Sequence, residues 1–568
     1  MGARTWAAPT TSDPRENNPL KTLIRTGAAA ALMMLMLSHA QAQQPNILLI
    51  IVDDVGFSDL GAYGGEIRTP NLDQLAQTGL QLTNFHSAAT CGPTRAMLMT
   101  GMHPHEVGLG SFGTRLAGAP ELHGLPGYLG RLNENATMVT ELIDATGYDT
   151  YMSGKWHLGG GANDPSVRGF DRSFALMDGG ASHFADATGV YLGMAPYTQD
   201  GERVEELPPE FFSSRFYTDT LIEYLQSGRD SENPFFAYLS FTAAHWPLHA
   251  PDEWLERTRG RYDAGWDEIR AQRLARLMEL GLISAEHAPY KSPSIPPWDE
   301  LSDLAKRVEA RRMEVYAAMI ENMDYHIGRV LEQLEAMGER DDTVILFLSD
   351  NGPEAEELVE GDRLYWIPAT FDNRYENMGR PGSHIVLGRG WAQASATPLR
   401  MYKRFTTEGG LRVPAFVHHG SFERQGERNG ELLTPMDLAS TLLDLAGVDP
   451  ADNPIAQRMR GQSLLPYLEG DSPLVIEGER SIGWEMYSHR ALHYGDWKIT
   501  WVWTPAGEGA WQLYDLSTDP GETTDLAVQY PDRLSMMIDQ WDAYARETGA
   551  MPMERDVSGY SSWQFIHD

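Results

Sequence analysis

Ile47-Leu48-Leu49-Ile50-Ile51-Val52-Asp53-Asp54 is the stretch from which the architecture reads. The apolar run is unbroken, rich in branched aliphatics, and it stops at two adjacent carboxylates. A strand with one wet face alternates apolar and polar residues, whereas a strand covered on both faces does not. The run therefore predicts a parallel strand buried within an α/β sheet. Ligands in such sheets gather at the carboxyl ends of the strands, where Asp53 and Asp54 stand. Paired acids in that place suit a metal or catalytic site; a strand-to-loop turn with solvated acids is the plainer alternative.

The pattern returns further along. Tyr148–Ser153 reads as a strand before Lys155-Trp156-His157, Phe235–Phe241 as a strand before His245-Trp246-Pro247, and Thr343–Ser349 as a buried run ending at Asp350-Asn351-Gly352. Lys155 and His157 are two apart, so on an extended segment both face one way. His249 reads as rim or packing. Thr69–Leu75 opens a helix, Val139–Ala145 forms another, and Met313–Leu334 carries Tyr316, Ile320, Met323, Ile327 and Leu334 at helical spacing, a core stripe. Arg257–Gly281 is a charged helical insertion with no visible chemistry, and residues 353–398 read as long loops over the site, whose Tyr365, Trp366 and Tyr375 suit either an aryl pocket or loop packing. Beyond about residue 470 short strands (Ala491–Tyr494, Lys498–Trp503, Trp511–Leu516) precede a closing helix, Leu534–Tyr544. The expected fold is α/β: a large mixed, mostly parallel sheet sandwiched by helices, with a smaller C-terminal α+β domain containing an antiparallel sheet. Its expected divisions are 1–42, 43–470 and 471–568.

The chain has 568 residues, 42% of them hydrophobic and 10% aromatic, as in a globular protein. Its net charge of -35, from 80 acidic and 45 basic residues, argues against a nucleic-acid partner but leaves room for a small anion in a locally basic pocket. Lys21 and Arg25, the apolar Gly27–Leu37 and Ala40-Gln41-Ala42 read as a secretion signal over 1–42 with an overlong start, so a periplasmic or secreted location is expected. No other stretch is apolar and long enough for a membrane helix, and a single cysteine forms no internal disulfide.

That cysteine stands in Cys91-Gly92-Pro93-Thr94-Arg95. Pro93 suits a first helical position, Met97-Leu98-Met99 continue a short helix, and Gly101 ends it. Cys91 then lies at a helix N-terminus, where negative charge is favoured, with Arg95 one turn on. Alone, such a residue reads as a small buried hydrophobe. The strand ends change that reading. Asp53, Asp54, Asp350 and Asn351 form an oxygen-rich set suited to a hard cation, Ca²⁺ or Mg²⁺. Arg95, Lys155, His157, His245 and Lys403 form a basic set suited to a tetrahedral oxyanion.

Cys91-x-Pro93-x-Arg95 resembles the signature of type I sulfatases, the formylglycine-dependent branch of the alkaline phosphatase superfamily. With Pro45-Asn46-Ile47, Asp53-Asp54-Val55-Gly56, Gly154-Lys155-Trp156-His157, His245-Trp246-Pro247-Leu248, Ser349-Asp350-Asn351-Gly352, Trp391-Ala392-Gln393-Ala394 and Trp511–Leu516, the chain is similar to the soluble Pseudomonas-type bacterial arylsulfatases. The resemblance implies an alkaline phosphatase-like fold, hydrolysis of small sulfate esters, and a maturation enzyme that oxidises Cys91 to formylglycine (3-oxoalanine). It further implies that the hydrated aldehyde attacks sulfur, and that Asp53, Asp54, Asp350 and Asn351 hold Ca²⁺ (ahead of Mg²⁺) together with residue 91. Asp350 would accept the nucleophile's proton, Lys155 and Lys403 would bind sulfate oxygens, and Arg95 would orient the diol. His245 would protonate the leaving oxygen, and His157 would take the last proton as sulfate departs. Where many relatives read Leu-Thr-Gly-Arg, this chain has Met99-Thr100-Gly101-Met102. The alternatives are a phosphonate monoester or phosphodiester hydrolase on the same scaffold and a calcium-stabilised secreted binding protein without turnover.

Overall fold

The computed structural model describes residues 1–2, 6–7, 44–111, 119–190, 193–227, 233–357 and 363–557, without the side chains of 363–366. The expected signal over 1–42 thus lies outside the described residues save for 1–2 and 6–7, and so do the side chains of Tyr365 and Trp366. Contacts separate Met1–Gln44 from Pro45–Asp568, and the latter unit carries every strand and helix found among the described residues.

A ten-stranded sheet forms the centre. Its strands are β1 (Asn46–Val52), β2 (Leu80–Leu82), β3 (Asp149–Lys155), β4 (Arg172–Leu176), β5 (Tyr197–Gln199), β6 (Glu202–Val204), β7 (Phe235–Ser240), β8 (Thr343–Ser349), β9 (Ala415–His418) and β10 (Arg428–Asn429). They lie in the order β10-β2-β9-β8-β1-β7-β3-β4-β5-β6. The block β8-β1-β7-β3-β4 is parallel; on one side β9 runs antiparallel to β8 and to β2, with β10 parallel to β2 at the edge, and on the other the β5–β6 hairpin is antiparallel. The unbroken apolar run of β1 is explained by its place. Leu48, Ile50 and Val52 enter one apolar cluster and Ile47, Leu49 and Ile51 another, all fully buried.

Helices cover both faces. On one lie α1 (Pro70–Thr78), α3 (Ser213–Ser227), α4 (Gly265–Glu279) and the long α5 (Asp303–Met337); on the other lie α2 (Cys91–Thr100) and α6 (Pro435–Leu445). The helix expected at 313–334 runs longer, because Ser302 caps it from Oγ, accepting from Ala305 N–H at 3.2 Å, and Gly338 closes it at φ +74. The smaller sheet, β11 (Ser481–Met486), β12 (His489–Tyr494), β13 (Trp497–Trp501) and β14 (Trp511–Asp515), is antiparallel throughout. It packs Leu492, Ile499 and Leu513 against Met537 and Trp541 of α7 (Pro531–Thr548). The expected fold class holds. Strand β11 and the short edge strands are additions to it, too brief or too polar to read as strands from sequence.

Candidate active site

The register of the central strands brings the carboxylates together. Val52 pairs with Ser349 and Ile51 with Ser240, so Asp53 and Asp350 leave adjacent strands side by side. Asp350 N–H donates to Val52 O at 3.0 Å, and Asp53 N–H donates to Ala243 O at 3.0 Å. Asp54 turns into the left-handed region at φ +62. Its carbonyl accepts from Tyr316 Oη at 2.8 Å, which fixes that turn. Lys155 is the last residue of β3, not a residue beyond the strand. Extended geometry ends there. His157 has φ +59, so a left-handed turn rather than strand alternation places it.

The charges interlock. Arg95 spans from α2 to Asp350 Oδ2 with Nε at 3.0 Å and Nη2 at 2.8 Å, while its Nη1 donates to Lys155 O at 3.0 Å and Ser240 Oγ at 2.5 Å. Lys155 Nζ pairs with Asp53 Oδ2. Lys403 Nζ pairs with Asp54 Oδ1 at 2.6 Å and lies 3.4 Å from Glu354, a carboxylate that no sequence motif marks. Asn351 Nδ2 donates to Asp54 Oδ1 at 2.6 Å. His245 Nε2 lies 3.8 Å from Asp54 Oδ2. Its Nδ1 donates to Trp246 O at 2.5 Å; a carbonyl can only accept, so this contact sets the tautomer. His183 Nε2 in turn donates to His245 O at 3.1 Å. His249 is buried and spends both ring nitrogens on backbone partners, as packing requires.

Cys91 is the first residue of α2 and is buried, which puts Pro93 at the third helical position and not the first. Gly101 ends the helix at φ +65, as its place predicts. Burial pushes the thiol up to about 11, with Asp53 and Asp350 adding to the rise while Lys155 and Lys403 oppose it. Unmodified Cys91 is therefore a protonated thiol at neutral pH, and the helix N-terminus does not make it a thiolate. Burial, then Lys155, Arg95 and Lys403, pushes His157 well below its ordinary value; burial, then Lys403 and Lys155, does the same to His245.

The donor set fits a hard cation. Ligating atoms of Asp53, Cys91 and Asp350 lie within 4.8 Å of one another, as do those of Asp53, Asp54 and His245. Asp53 Oδ1, Asp54 Oδ2 and Asn351 Oδ1 are buried and accept no hydrogen bond among the described residues. Burial first, then neighbouring carboxylates, raises Asp53 well above its usual range, and burial raises Asp54 against the pull of Lys403. A dication among these oxygens would relieve both costs.

The surroundings add residues with no local signature. Tyr316 Oη also lies 2.7 Å from Asp59 Oδ2, so its single proton is shared between that carboxylate and the Asp54 carbonyl, and Asp59 Oδ1 accepts from Arg273 Nη1 at 2.6 Å. Arg273 comes from α4, within the insertion that shows no chemistry as sequence. A lone arginine in a charged helix offers no signal that it is buried.

A family model described as Sulfatase matches residues 45–448. The chain belongs to the sulfatase family. A second model, N-sulphoglucosamine sulphohydrolase, C-terminal, matches residues 400–540 of this sulfatase. It is 39% identical over 543 residues to an uncharacterized sulfatase of Schizosaccharomyces pombe, covering 91% of this chain and 96% of that one. It is 38% identical over 435 residues to the arylsulfatase of Klebsiella aerogenes, covering 74% and 91%. The solved structure of Ps i-CgsB superposes with a TM-score of 0.65 at 23% identity, covering 92% of the sulfatase and 97% of that chain, a likeness of fold. By family the protein is a sulfuric ester hydrolase. No helix among its described residues is long and apolar enough to cross a membrane.

Proposed function

We propose that the protein hydrolyses sulfate monoesters, aryl sulfates foremost, with residue 91 as nucleophile in its formylglycine form and Ca²⁺ held by Asp53, Asp54, Asp350, Asn351 and residue 91. The observation that carries this reading is the meeting of Asp53, Cys91 and Asp350 within 4.8 Å, buried, with Lys155 and Arg95 on the same carboxylates. The hydrated aldehyde supplies one hydroxyl to attack sulfur and a second whose deprotonation lets sulfate leave, where a serine ester would need water to attack sulfur. Calcium, when bound, lowers the pKa of a hydroxyl at residue 91 and offsets charge on a sulfate oxygen.

The remaining work falls to side chains. Asp350 accepts the proton of the attacking hydroxyl, and Arg95 fixes its other oxygen. Lys155 and Lys403 each carry three N–H donors, so each can keep its carboxylate and still bind a sulfate oxygen. His245, with Nδ1–H committed to Trp246 O, presents Nε2 to the leaving oxygen; the anionic ester bound beside Lys155 and Lys403 would favour the imidazolium, whose Nε2 proton the leaving group takes. His157 takes the last proton, and Arg95 balances the acids. We assign the chemistry to residues 43–470 and a smaller domain to 471–568, with residues 1–42 directing export to the periplasm or beyond and a separate maturation enzyme oxidising Cys91.

The test has two parts on protein from its own host. Mass spectrometry of the peptide containing Cys91 should show sulfur replaced by aldehyde oxygen, and an intact alkylatable thiol in active enzyme would overturn the assignment of the nucleophile. Rates on matched aryl sulfate and phosphodiester substrates should favour the sulfate; faster diester turnover would move the protein to the phosphodiester class.

A further inference from the structure

After β4 the chain continues Met177-Asp178-Gly179-Gly180-Ala181, and its two glycines lie against the two imidazoles of the site. A Cβ built on Gly179 would stand 2.8 Å from Cε1 and 2.9 Å from Nε2 of His157. One built on Gly180 would stand 2.7 Å from Nδ1 and 2.8 Å from Cε1 of His245, and 3.2 Å from Val190 Cγ1. Carbon contacts are attractive only from about 3.5 Å outward, so neither Cβ fits unless a ring moves. Neither glycine has a left-handed φ. Alanine would suit the backbone at both places, and what glycine provides here is room.

The segment cannot simply withdraw. Met177 N–H donates to Pro196 O at 2.9 Å, Ala181 is buried and bridges Gly189, and Ser182 N–H donates to Thr188 O at 2.7 Å. His245 is also bounded elsewhere, by its bond to Trp246 O and by the Trp246 indole stacked at 5.4 Å. Two consecutive Cα positions on a pinned backbone thus bound both rings.

We propose that Gly179-Gly180 is a positioning element for the reaction, one backbone surface that sets His245 for the first proton transfer and His157 for the last. The proposal rests on the roles given above to these histidines. His245 passes a proton to the leaving oxygen as its bond to sulfur breaks, and His157 takes the proton of residue 91's remaining hydroxyl as sulfate departs and the aldehyde re-forms. The two glycines therefore act on different steps, and their substitutions must fail differently.

The experiment compares Gly179→Ala, Gly180→Ala and a control, Gly189→Ala, as mature enzymes on aryl sulfates whose phenols span a range of pKa. Gly189 lies in the same loop, but a Cβ there meets nothing nearer than 3.5 Å. Gly180→Ala should lower kcat/KM by about 10²-fold for weakly acidic phenols and much less for strongly acidic ones, because only poor leaving groups need the proton. Gly179→Ala should lower kcat alike for all phenols, spare kcat/KM, and show a burst of phenol in the first turnover. Gly189→Ala should behave as wild type. Losses that ignore the phenol and show no burst, or activities equal to the control, overturn the proposal. His245→Ala and His157→Ala in the same assay test the underlying reading: if these lack the leaving-group dependence and the burst, the roles of the histidines have failed rather than the positioning. If Gly180→Ala does not fold, the pair Gly180→Ala/His245→Ala removes the clash with the ring and should fold, with only the 3.2 Å contact to Val190 Cγ1 left to depress its Tm; a pair that does not fold overturns the proposal.

Discussion

Cys91 is a protonated thiol in a buried acidic and basic cluster, pushed up to about 11 chiefly by burial. On the proposed reading its function comes through modification to formylglycine. Cys91→Ala is expected to lower aryl sulfate turnover by at least about 10⁴-fold. Cys91→Ser should release no more than one equivalent of phenol, measured by quenched flow, since serine has no second hydroxyl; steady turnover would contradict the diol. Asn351 offers a second test at this scale. Its Oδ1 is buried without a partner among the described residues, and its removal alters no charge. Asn351→Ala should weaken calcium binding, read by calorimetry, by more than the ~10–100-fold that loss of an outer-shell partner costs. An unchanged affinity would remove Asn351 from the metal set.

Among the elements, α4 reaches the surroundings of the site through Arg273. Arg273 is buried and holds Asp59 at 2.6 Å and Glu66 at 2.7 Å; Asp59 and the Asp54 carbonyl share Tyr316. Arg273→Met strands the buried Asp59 carboxylate and should cost about 3–5 kcal/mol in urea unfolding. Tyr316→Phe should cost about 1–3 kcal/mol and also weaken calcium binding, because Asp54 then loses the contact that holds its left-handed turn. A Tyr316→Phe enzyme with wild-type affinity would show the turn to be held by other contacts. No local pattern announces such a chain. The strand ends are legible because an apolar run followed by acids is a local signal, whereas Arg273, Asp59 and Tyr316 meet across more than two hundred residues of sequence.

For the whole molecule, a buried cluster ties the smaller sheet to the segment that follows Lys403. Lys498 of β13 pairs with Glu408 at 2.7 Å and Glu522 at 3.1 Å, and His86 lies 3.0 Å from Glu408. Burial alone would raise Glu408, but His86 and then Lys498 outweigh it and hold the carboxyl well below its ordinary range. A carboxylate depressed in the folded state contributes stability that is complete above its unfolded value and is lost as pH falls through the folded one. Tm should therefore fall as pH drops below the ordinary glutamate value of about 4.5, and Glu408→Gln, though less stable, should fall less steeply in that window. Parallel melting curves for the two proteins would show that this cluster does not set the acid limit. A chain ending at 470 leaves Glu408 without Lys498 and is expected to yield no folded catalytic part, checked by circular dichroism.

The sequence by itself determined the α/β class, the central strand β1, and the residues gathered at its carboxyl edge. Each of these has a short-range cause: a run with no polar face, a strand end, a proline and a glycine around one cysteine. Only the tertiary structure decided that His157 sits in a left-handed turn and that Arg95 is spent on Asp350, Ser240 and the backbone. It alone placed Gly179-Gly180 beneath two imidazoles and brought Arg273 within reach of the site. These depend on which distant segments the sheet brings to the carboxyl ends of its strands. A glycine that provides room looks, in sequence, like any other glycine, because the neighbour it makes room for lies elsewhere in the chain.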